Sequence, residues 1–67
     1  MRQLLRTLRE ERGLSQGALA KKIGVTQGYI HQLERGIRRP SIRVLLRLAQ
    51  ALDVPPETLL RAFKEGA

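Results

Sequence analysis

The stretch from Ser15 to Gly36, SQGALAKKIGVTQGYIHQLERG, has the pattern of two short amphipathic helices joined by a turn. Only residues 24–26 separate Ile23 from Gln27, and the first of them is a glycine, which allows a sharp change of chain direction. Ala20 is small where two steeply crossed helices would approach closely. The spacing therefore predicts a helix-turn-helix over about residues 15–36.

Start and stop signals divide the rest of the chain into further helices. Serine or threonine precedes three helices as an N-cap, and glycine follows three as a left-handed stop. The Pro55-Pro56 pair opens the fifth helix, and no stretch alternates as a strand would. We expect an all-α fold, a compact five-helix bundle forming one domain over residues 1–67. The caps are Ser15, Thr26 and Ser41, and the stops are Gly13, Gly24 and Gly36.

Apolar residues recur at helical spacing and predict which side chains form the core. A terminal helix on so small a core should need little apolar surface, so the fifth helix also offers Leu60 and Phe63 as a dimer interface. For Phe63, core and interface are equally favoured. The expected inward residues are Leu4, Leu5, Leu8, Leu19, Ala20, Ile23, Ile30, Leu33, Ile42, Leu45, Leu46, Ala49, Leu52, Leu59, Leu60 and Phe63.

Positive charge is concentrated in the first part of this 67-residue chain, whose net charge is +7. Through Leu52 there are eleven Lys and Arg against three Glu, whereas from Asp53 onward two basic residues face three acidic ones. Such an excess of positive charge is typical of proteins that bind a phosphate backbone, although basic residues that only solubilise a small helical domain explain it equally well. The absence of cysteine and the charged N-terminal stretch fit a cytoplasmic protein, with neither a secretory leader nor a membrane anchor.

The third helix carries a polar face opposite its inward residues Ile30 and Leu33. A helix fits the DNA major groove, where Gln pairs with adenine and Arg with guanine. Ordinary solvated surface is the alternative for this face. Its members are Gln27, Gly28, His31, Gln32 and Arg35.

The pattern LSQ, LA, IGV, I-x-x-L-E-R-G and P-S-x-x-x-L-x-x-L-A-x-A-L resembles the DNA-binding domain of phage repressor and Cro proteins, the Xre-like helix-turn-helix family. The resemblance extends from about Leu4 to Leu60. It implies a lambda-repressor-like fold and a sequence-specific transcription regulator, most simply a repressor that blocks polymerase by occupying an operator. It also implies a prokaryotic or phage-type protein held at the nucleoid by DNA.

The resemblance and the charges together nominate site residues. By resemblance, Gln27, Gly28 and Gln32 meet base edges, with Tyr29 and His31 beside them. The same resemblance pairs Glu34 with Arg9 as a structural ion pair. Helix N-termini and the arginines that follow the third helix are expected to contact phosphates. These phosphate-binding residues are Gln16, Thr26, Arg35, Arg38, Arg39 and Arg43.

Three positions depart from the family's usual pattern. Gly17 stands where an acidic side chain is common, and Ile37 where a basic one is common. Gly28 leaves one reading side chain fewer and costs about 1 kcal/mol of helix propensity relative to Ala.

Other classes of protein are weighed against the DNA-binding hypothesis. An enzyme is disfavoured because Ser15 and Ser41 are explained as caps and His31 has no cysteine or carboxylate cluster to share a metal with. We expect no metal, no cofactor, no small-molecule ligand and no membrane partner. An antitoxin or protein-interaction module using the same fold is the stronger alternative. Because one helix reads few base pairs, we expect a homodimer, formed in solution or only on DNA, on a pseudo-palindromic operator.

Overall fold

The computed structural model describes residues 3–65, with side chains through Phe63, and all of its regular structure is helical. No strand occurs in this range. The all-α, five-helix fold predicted from the sequence is confirmed. The helices are α1 (Gln3–Glu11), α2 (Gln16–Ile23), α3 (Gln27–Arg35), α4 (Ile42–Leu52) and α5 (Pro56–Glu65).

The predicted N-caps close the first turns of three helices. Ser15 Oγ accepts a hydrogen bond from the backbone N–H of Ala18 at 3.0 Å. Thr26 Oγ1 accepts one from the N–H of Tyr29 at 3.1 Å, and Ser41 Oγ caps α4 in the same way at 3.2 Å. Each bond satisfies a backbone N–H that has no partner inside its own helix. Local side chains therefore fix where α2, α3 and α4 begin.

Left-handed residues follow the first four helices. Gly13, Gly24 and Gly36 have φ of 69°, 79° and 74°, a region that glycine enters without a Cβ clash. Asp53 ends α4 at φ 57°, a conformation that the short polar side chains of Asp and Asn tolerate better than most. The end of α4 therefore carries no glycine signal in the sequence.

One core lies between the five helices and receives side chains from each of them. Leu5 of α1 and Leu59 of α5 are fully buried against the leucines and isoleucines of the middle helices. α3 packs mainly on α2 and to a smaller extent on α1, while α4 packs on α2 and α5. The outward face of α3 is thus left without a helix packed against it. The largest fully buried side chains are Leu5, Leu19, Ile30, Leu33, Leu48, Leu52 and Leu59.

The inward face of α4 differs from the one predicted. Ile42 and Leu46 were expected in the core but are 63% and 49% exposed, whereas Leu48, which was not expected there, is fully buried. α4 has the sequence IRVLLRLAQAL, so apolar residues lie on more than one side of it. Spacing alone cannot choose between such faces, and packing against α2 and α5 makes the choice. The buried residues of α4 are Leu45, Leu48, Ala49 and Leu52.

The apolar residues of α5 divide between core and surface. Phe63 is 8% exposed and belongs to the core cluster, so the core alternative is correct for it. Leu60 was also expected inward, but it is 47% exposed, because one residue after the buried Leu59 the helix has turned by about 100°. Of the two residues nominated for a dimer interface, only Leu60 offers substantial free surface.

Candidate nucleic-acid interface

The turn between α2 and α3 is held by backbone hydrogen bonds. The N–H groups of Gly24 and Val25 both donate to the carbonyl of Ala20, the second at 2.9 Å. Ala20 is 2% exposed, as expected for a small residue at the helix crossing. Arg47 of α4 adds a donor, Nη1, 3.4 Å from the carbonyl oxygen of Ile23. The two helices therefore form a unit in which α3 has a fixed orientation.

The outward face of α3 brings the nominated base-reading residues together. Gln27, Gly28 and His31 are exposed, and Tyr29 and Gln32 are half-buried. A Cβ placed on Gly17 would lie 3.5 Å from Gln27 Oε1, so the Gln27 carboxamide lies beside the first turn of α2. Polar side chains of two helices thus meet at the N-terminal end of α3.

A buried network joins α1, α2 and α3 behind this face. Arg9 Nε lies 2.6 Å from Glu34 Oε2, and Arg9 Nη2 lies 3.2 Å from Glu34 Oε1. Arg9 Nη1 also donates to the carbonyl oxygen of Leu14 at 2.8 Å. The Glu34 hydrogen bond, supported by its charge, raises the pKa of Arg9 despite burial, which acts in the opposite direction. The ion pair suggested by the family resemblance is therefore present and well coordinated.

Gln16 belongs to the same network. Its Nε2 donates to Glu34 Oε1 at 3.0 Å and lies 3.5 Å from His31 Nδ1. The Gln16 amide, at the N-terminus of α2, thus lies between the Glu34 carboxylate and His31 on the outward face of α3. Sequence reasoning nominated Gln16 for phosphate binding but gave no sign of the Glu34 contact, because the two residues meet only through packing of α2 on α3.

Arg38 makes contacts that the sequence did not suggest. Its Nε donates to Gln32 Oε1 at 3.0 Å, and its guanidinium carbon lies 5.7 Å from the centre of the Tyr29 ring. A cation at that distance from an aromatic face is attracted to it. Arg38 therefore lies against two residues nominated for base reading.

The arginines nominated for phosphate binding are all exposed. Within residues 3–63 the ion pairs are Arg6–Glu10, Arg9–Glu34 and Arg12–Asp53. The arginines nominated for phosphate binding take part in none of these pairs, so no carboxylate of this range neutralises them. Thr26, the N-cap of α3, lies at the opposite end of that helix from Arg35. The arginines are Arg35 on α3, Arg38 and Arg39 in the segment after it, and Arg43 on α4.

The described residues contain no group of three or more His, Asp or Glu placed to hold a metal ion. None of the described helices has the length and apolarity needed to cross a membrane.

Comparison with known proteins extends this geometry. A family model described as Helix-turn-helix matches residues 5–59. An uncharacterized HTH-type transcriptional regulator of Mycobacterium tuberculosis is 44% identical over 55 residues, which are 82% of this chain and 39% of the relative. The chain thus spans about two fifths of the length of that relative.

Solved structures agree with the sequence comparison. The DNA complex of SinR, the master regulator for biofilm formation, matches with a TM-score of 0.82 and 38% identity over 88% of this chain and 95% of that one. The restriction-modification controller protein C.AhdI from Aeromonas hydrophila matches with a TM-score of 0.81 and 45% identity, over 87% of this chain and 84% of the controller. The chain belongs to the helix-turn-helix family of transcriptional regulators, as its resemblance to repressor and Cro proteins predicted.

Proposed function

We propose that this chain binds double-stranded DNA sequence-specifically and regulates transcription, acting as a repressor by occupying its operator. The observation that carries the proposal is the outward face of α3, whose polar side chains lie beside Arg35 and Arg38, and within residues 3–63 no carboxylate forms an ion pair with either arginine. Ordinary solvated surface would not require the Arg38 side chain to return from the segment after α3 onto this face. The structure of SinR with DNA supports this use of the fold.

The contacts divide by chemistry into two sets. Amide and imidazole groups on α3 face the base edges, with Gln27 and Gln32 as the principal readers. Gly28 admits a close approach of backbone or a thymine methyl, while His31 and Tyr29 contact bases or the adjoining backbone. Phosphates are held by charge and by helix N-termini. The phosphate set is Gln16, Thr26, Arg35, Arg39 and Arg43, with Arg38 at its boundary.

A titration of the folded chain tests DNA binding directly. Fluorescently labelled random duplexes at about 50 mM and 200 mM salt should give affinities that fall steeply with salt, by about 0.9 log units per log unit of salt for each phosphate neutralised. With about five contacts, we expect a loss of about five hundredfold. Failure to bind any duplex at the lower salt concentration would exclude the proposed function and favour a protein-interaction module.

A homodimer on a pseudo-palindromic operator completes the proposal. Three large apolar side chains, Ile42, Leu46 and Leu60, are about half exposed or more on α4 and α5. Leu60 lines a surface groove with Pro40, Leu45 and Phe63, so part of the core borders this apolar surface. A second copy covering it would double the number of bases read.

Sedimentation with and without a palindromic duplex tests the dimer. Leu46→Ser should leave one chain per site at concentrations where the wild type binds as two, because the polar side chain is placed in the proposed interface. Ile37→Ser is the matched control, since Ile37 is 68% exposed but lies in the segment between α3 and α4. One wild-type chain per site at saturation would exclude the dimer.

A further inference from the structure

The segment after α3 folds back onto Gln32 in two ways. The backbone N–H groups of Ile37 and Arg38 point to the carbonyl oxygen of Gln32, at 3.0 and 3.4 Å. The Arg38 side chain then donates from Nε to Gln32 Oε1 at 3.0 Å. The backbone and the side chain of Arg38 are therefore both hydrogen-bonded to Gln32, on the outward face of α3.

Tyr29 holds the guanidinium from another direction. It precedes Gln32 by three residues, so both side chains lie on the same side of α3. The Arg38 guanidinium carbon is 5.7 Å from the centre of the Tyr29 ring. A planar cation that lies near an aromatic face and donates in its own plane has little rotational freedom. The donor that faces Gln32 is thus fixed in direction.

This contact determines how the Gln32 carboxamide is oriented. A guanidinium has donors and no acceptor, so the carboxamide atom that faces it must be the oxygen. The amide nitrogen then points away from Arg38 with two N–H groups, neither of which has a partner in the described part of the protein. A free carboxamide has two donors and two acceptor lone pairs, whereas this one keeps both donors and has one of its lone pairs taken by Arg38.

We propose that Arg38 is a positioning residue that holds the Gln32 carboxamide as a hydrogen-bond donor, so that Gln32 selects guanine in preference to adenine. The proposal rests on the DNA-binding function proposed above and specifies the base at one operator position. Guanine shows two acceptors in the major groove, N7 and O6, which suit two N–H donors. Adenine shows the N7 acceptor and an N6 donor, so its usual pairing with Gln would have to share the carboxamide oxygen with Arg38, which already takes one of the two lone pairs.

Selection from a random duplex pool, read by sequencing, tests the proposal with four proteins. The wild type should enrich guanine at one position of each half-site, and Gln32→Met should abolish the preference at that position alone. Arg38→Met removes the donors but keeps an apolar stem against Tyr29. It should shift the same position from guanine toward adenine, with a change of about twofold to fivefold in the guanine-to-adenine ratio, because the contact with Arg38 that biases the carboxamide is exposed. Arg39→Met, which removes the neighbouring charge, should keep guanine.

The outcomes separate the possible roles of Arg38. If Arg38→Met keeps guanine and weakens all duplexes as Arg39→Met does, Arg38 is a phosphate contact and the positioning role is wrong. If the wild type already selects adenine at the position that depends on Gln32, the donor assignment is wrong. If the wild type binds no duplex at low salt, the DNA-binding function itself fails. Thermal unfolding of each variant, followed by circular dichroism, confirms that it is folded during selection.

Discussion

Two arginines reach α3 from different parts of the chain, and each donates through Nε to a side-chain oxygen of that helix. Arg9 comes from α1 and meets Glu34 at 2.6 Å, and both side chains are less than one tenth exposed. Arg38 comes from the segment after α3 and meets Gln32 at 3.0 Å on the exposed surface. The geometry of the donor is similar, but the surroundings differ.

The surroundings decide what each contact is worth. Water cannot replace the partner of a buried charge, so removing one member of a buried pair leaves the other unsatisfied. At the surface, water replaces a lost partner at little cost. The same kind of contact therefore stabilises the fold at Arg9 and orients a side chain at Arg38.

Arg9→Met should lower the free energy of unfolding by about 3 kcal/mol, because Glu34 loses its charged partner and the carbonyl of Leu14 loses a donor. Urea unfolding followed by circular dichroism measures the change. Arg6→Met is the matched control on the same helix, since the Arg6–Glu10 pair is exposed, and its effect should stay within about 0.5 kcal/mol. Equal effects of the two variants would contradict the assignment of Arg9–Glu34 as structural.

The pH dependence of the Arg9 effect follows from its pKa. Pairing with Glu34 raises the pKa of Arg9, so the folded state holds this proton more tightly than the unfolded state. The resulting stabilisation is fully present below the unfolded pKa and is lost only as pH rises through the still higher folded value. The difference between wild type and Arg9→Met should therefore be the same at about pH 8 and about pH 10. A difference that shrinks over this interval would point to another titrating group.

The sequence predicted best where local chemistry decides the structure. Ser15, Thr26 and Ser41 cap helices, and Gly24 and Gly36 end them, because each acts on its own or a neighbouring turn. The face of α4 could not be predicted in the same way. Ile42, Leu46 and Leu48 are all apolar, and only the positions of the other helices determine which of them is buried.

The contacts within the candidate site were harder to predict than its members. The residues of the outward face were nominated from periodicity and family resemblance. Which of them touch depends on the path of the chain and on rotamers. Gln16 meets Glu34 from another helix, and Arg38 returns to Gln32 after a turn. In each pair the two residues do not lie within one helix, so helical periodicity in the sequence cannot predict that they touch.

The two glutamines of α3 offer the next test, because only one of them is held by an arginine. Gln27 is exposed beside Gly17, and no hydrogen bond to its side chain is formed within the described residues. Its carboxamide is thus free to pair with adenine through both atoms. Gln27→Ala should cost roughly 1 to 3 kcal/mol on the selected operator and little on random DNA. Fluorescence titration on both duplexes measures this, with the exposed Gln50→Ala on α4 as the control.

If Gln27→Ala lost the same binding free energy on both duplexes, Gln27 would contact the DNA phosphate backbone rather than a base. A loss at a position where the wild type selects guanine would show that an unheld glutamine also prefers guanine, and the contrast with Gln32 would disappear.

Gln16 is intermediate between the buried and the exposed contacts. Gln16→Met removes a donor from Glu34 Oε1 but leaves Arg9 in place. The free energy of unfolding should fall by about 1 kcal/mol, the usual net value of one hydrogen bond. Binding to random and selected DNA should weaken to the same degree if Gln16 contacts phosphates, as we propose, rather than bases. Urea unfolding and titration on the two duplexes separate the effects, and an unchanged stability would mean that water fully replaces the amide.

Arg38→Met should have the smallest effect on stability, within about 0.5 kcal/mol, although Arg38 contacts two residues of α3. Its hydrogen bond to Gln32 and its approach to Tyr29 both lie at the surface, where water and the methionine stem substitute for most of what is lost. The backbone bonds from Ile37 and Arg38 to the Gln32 carbonyl do not depend on the side chain and should keep the segment in place. Urea unfolding measures this variant beside Arg9→Met.

If the two variants lose comparable stability, the segment after α3 depends on the guanidinium, and the exposed contact is structural like the buried one. If only Arg9→Met is destabilised while Arg38→Met alters base preference, burial is what separates an arginine that holds the fold from one that orients a reading side chain.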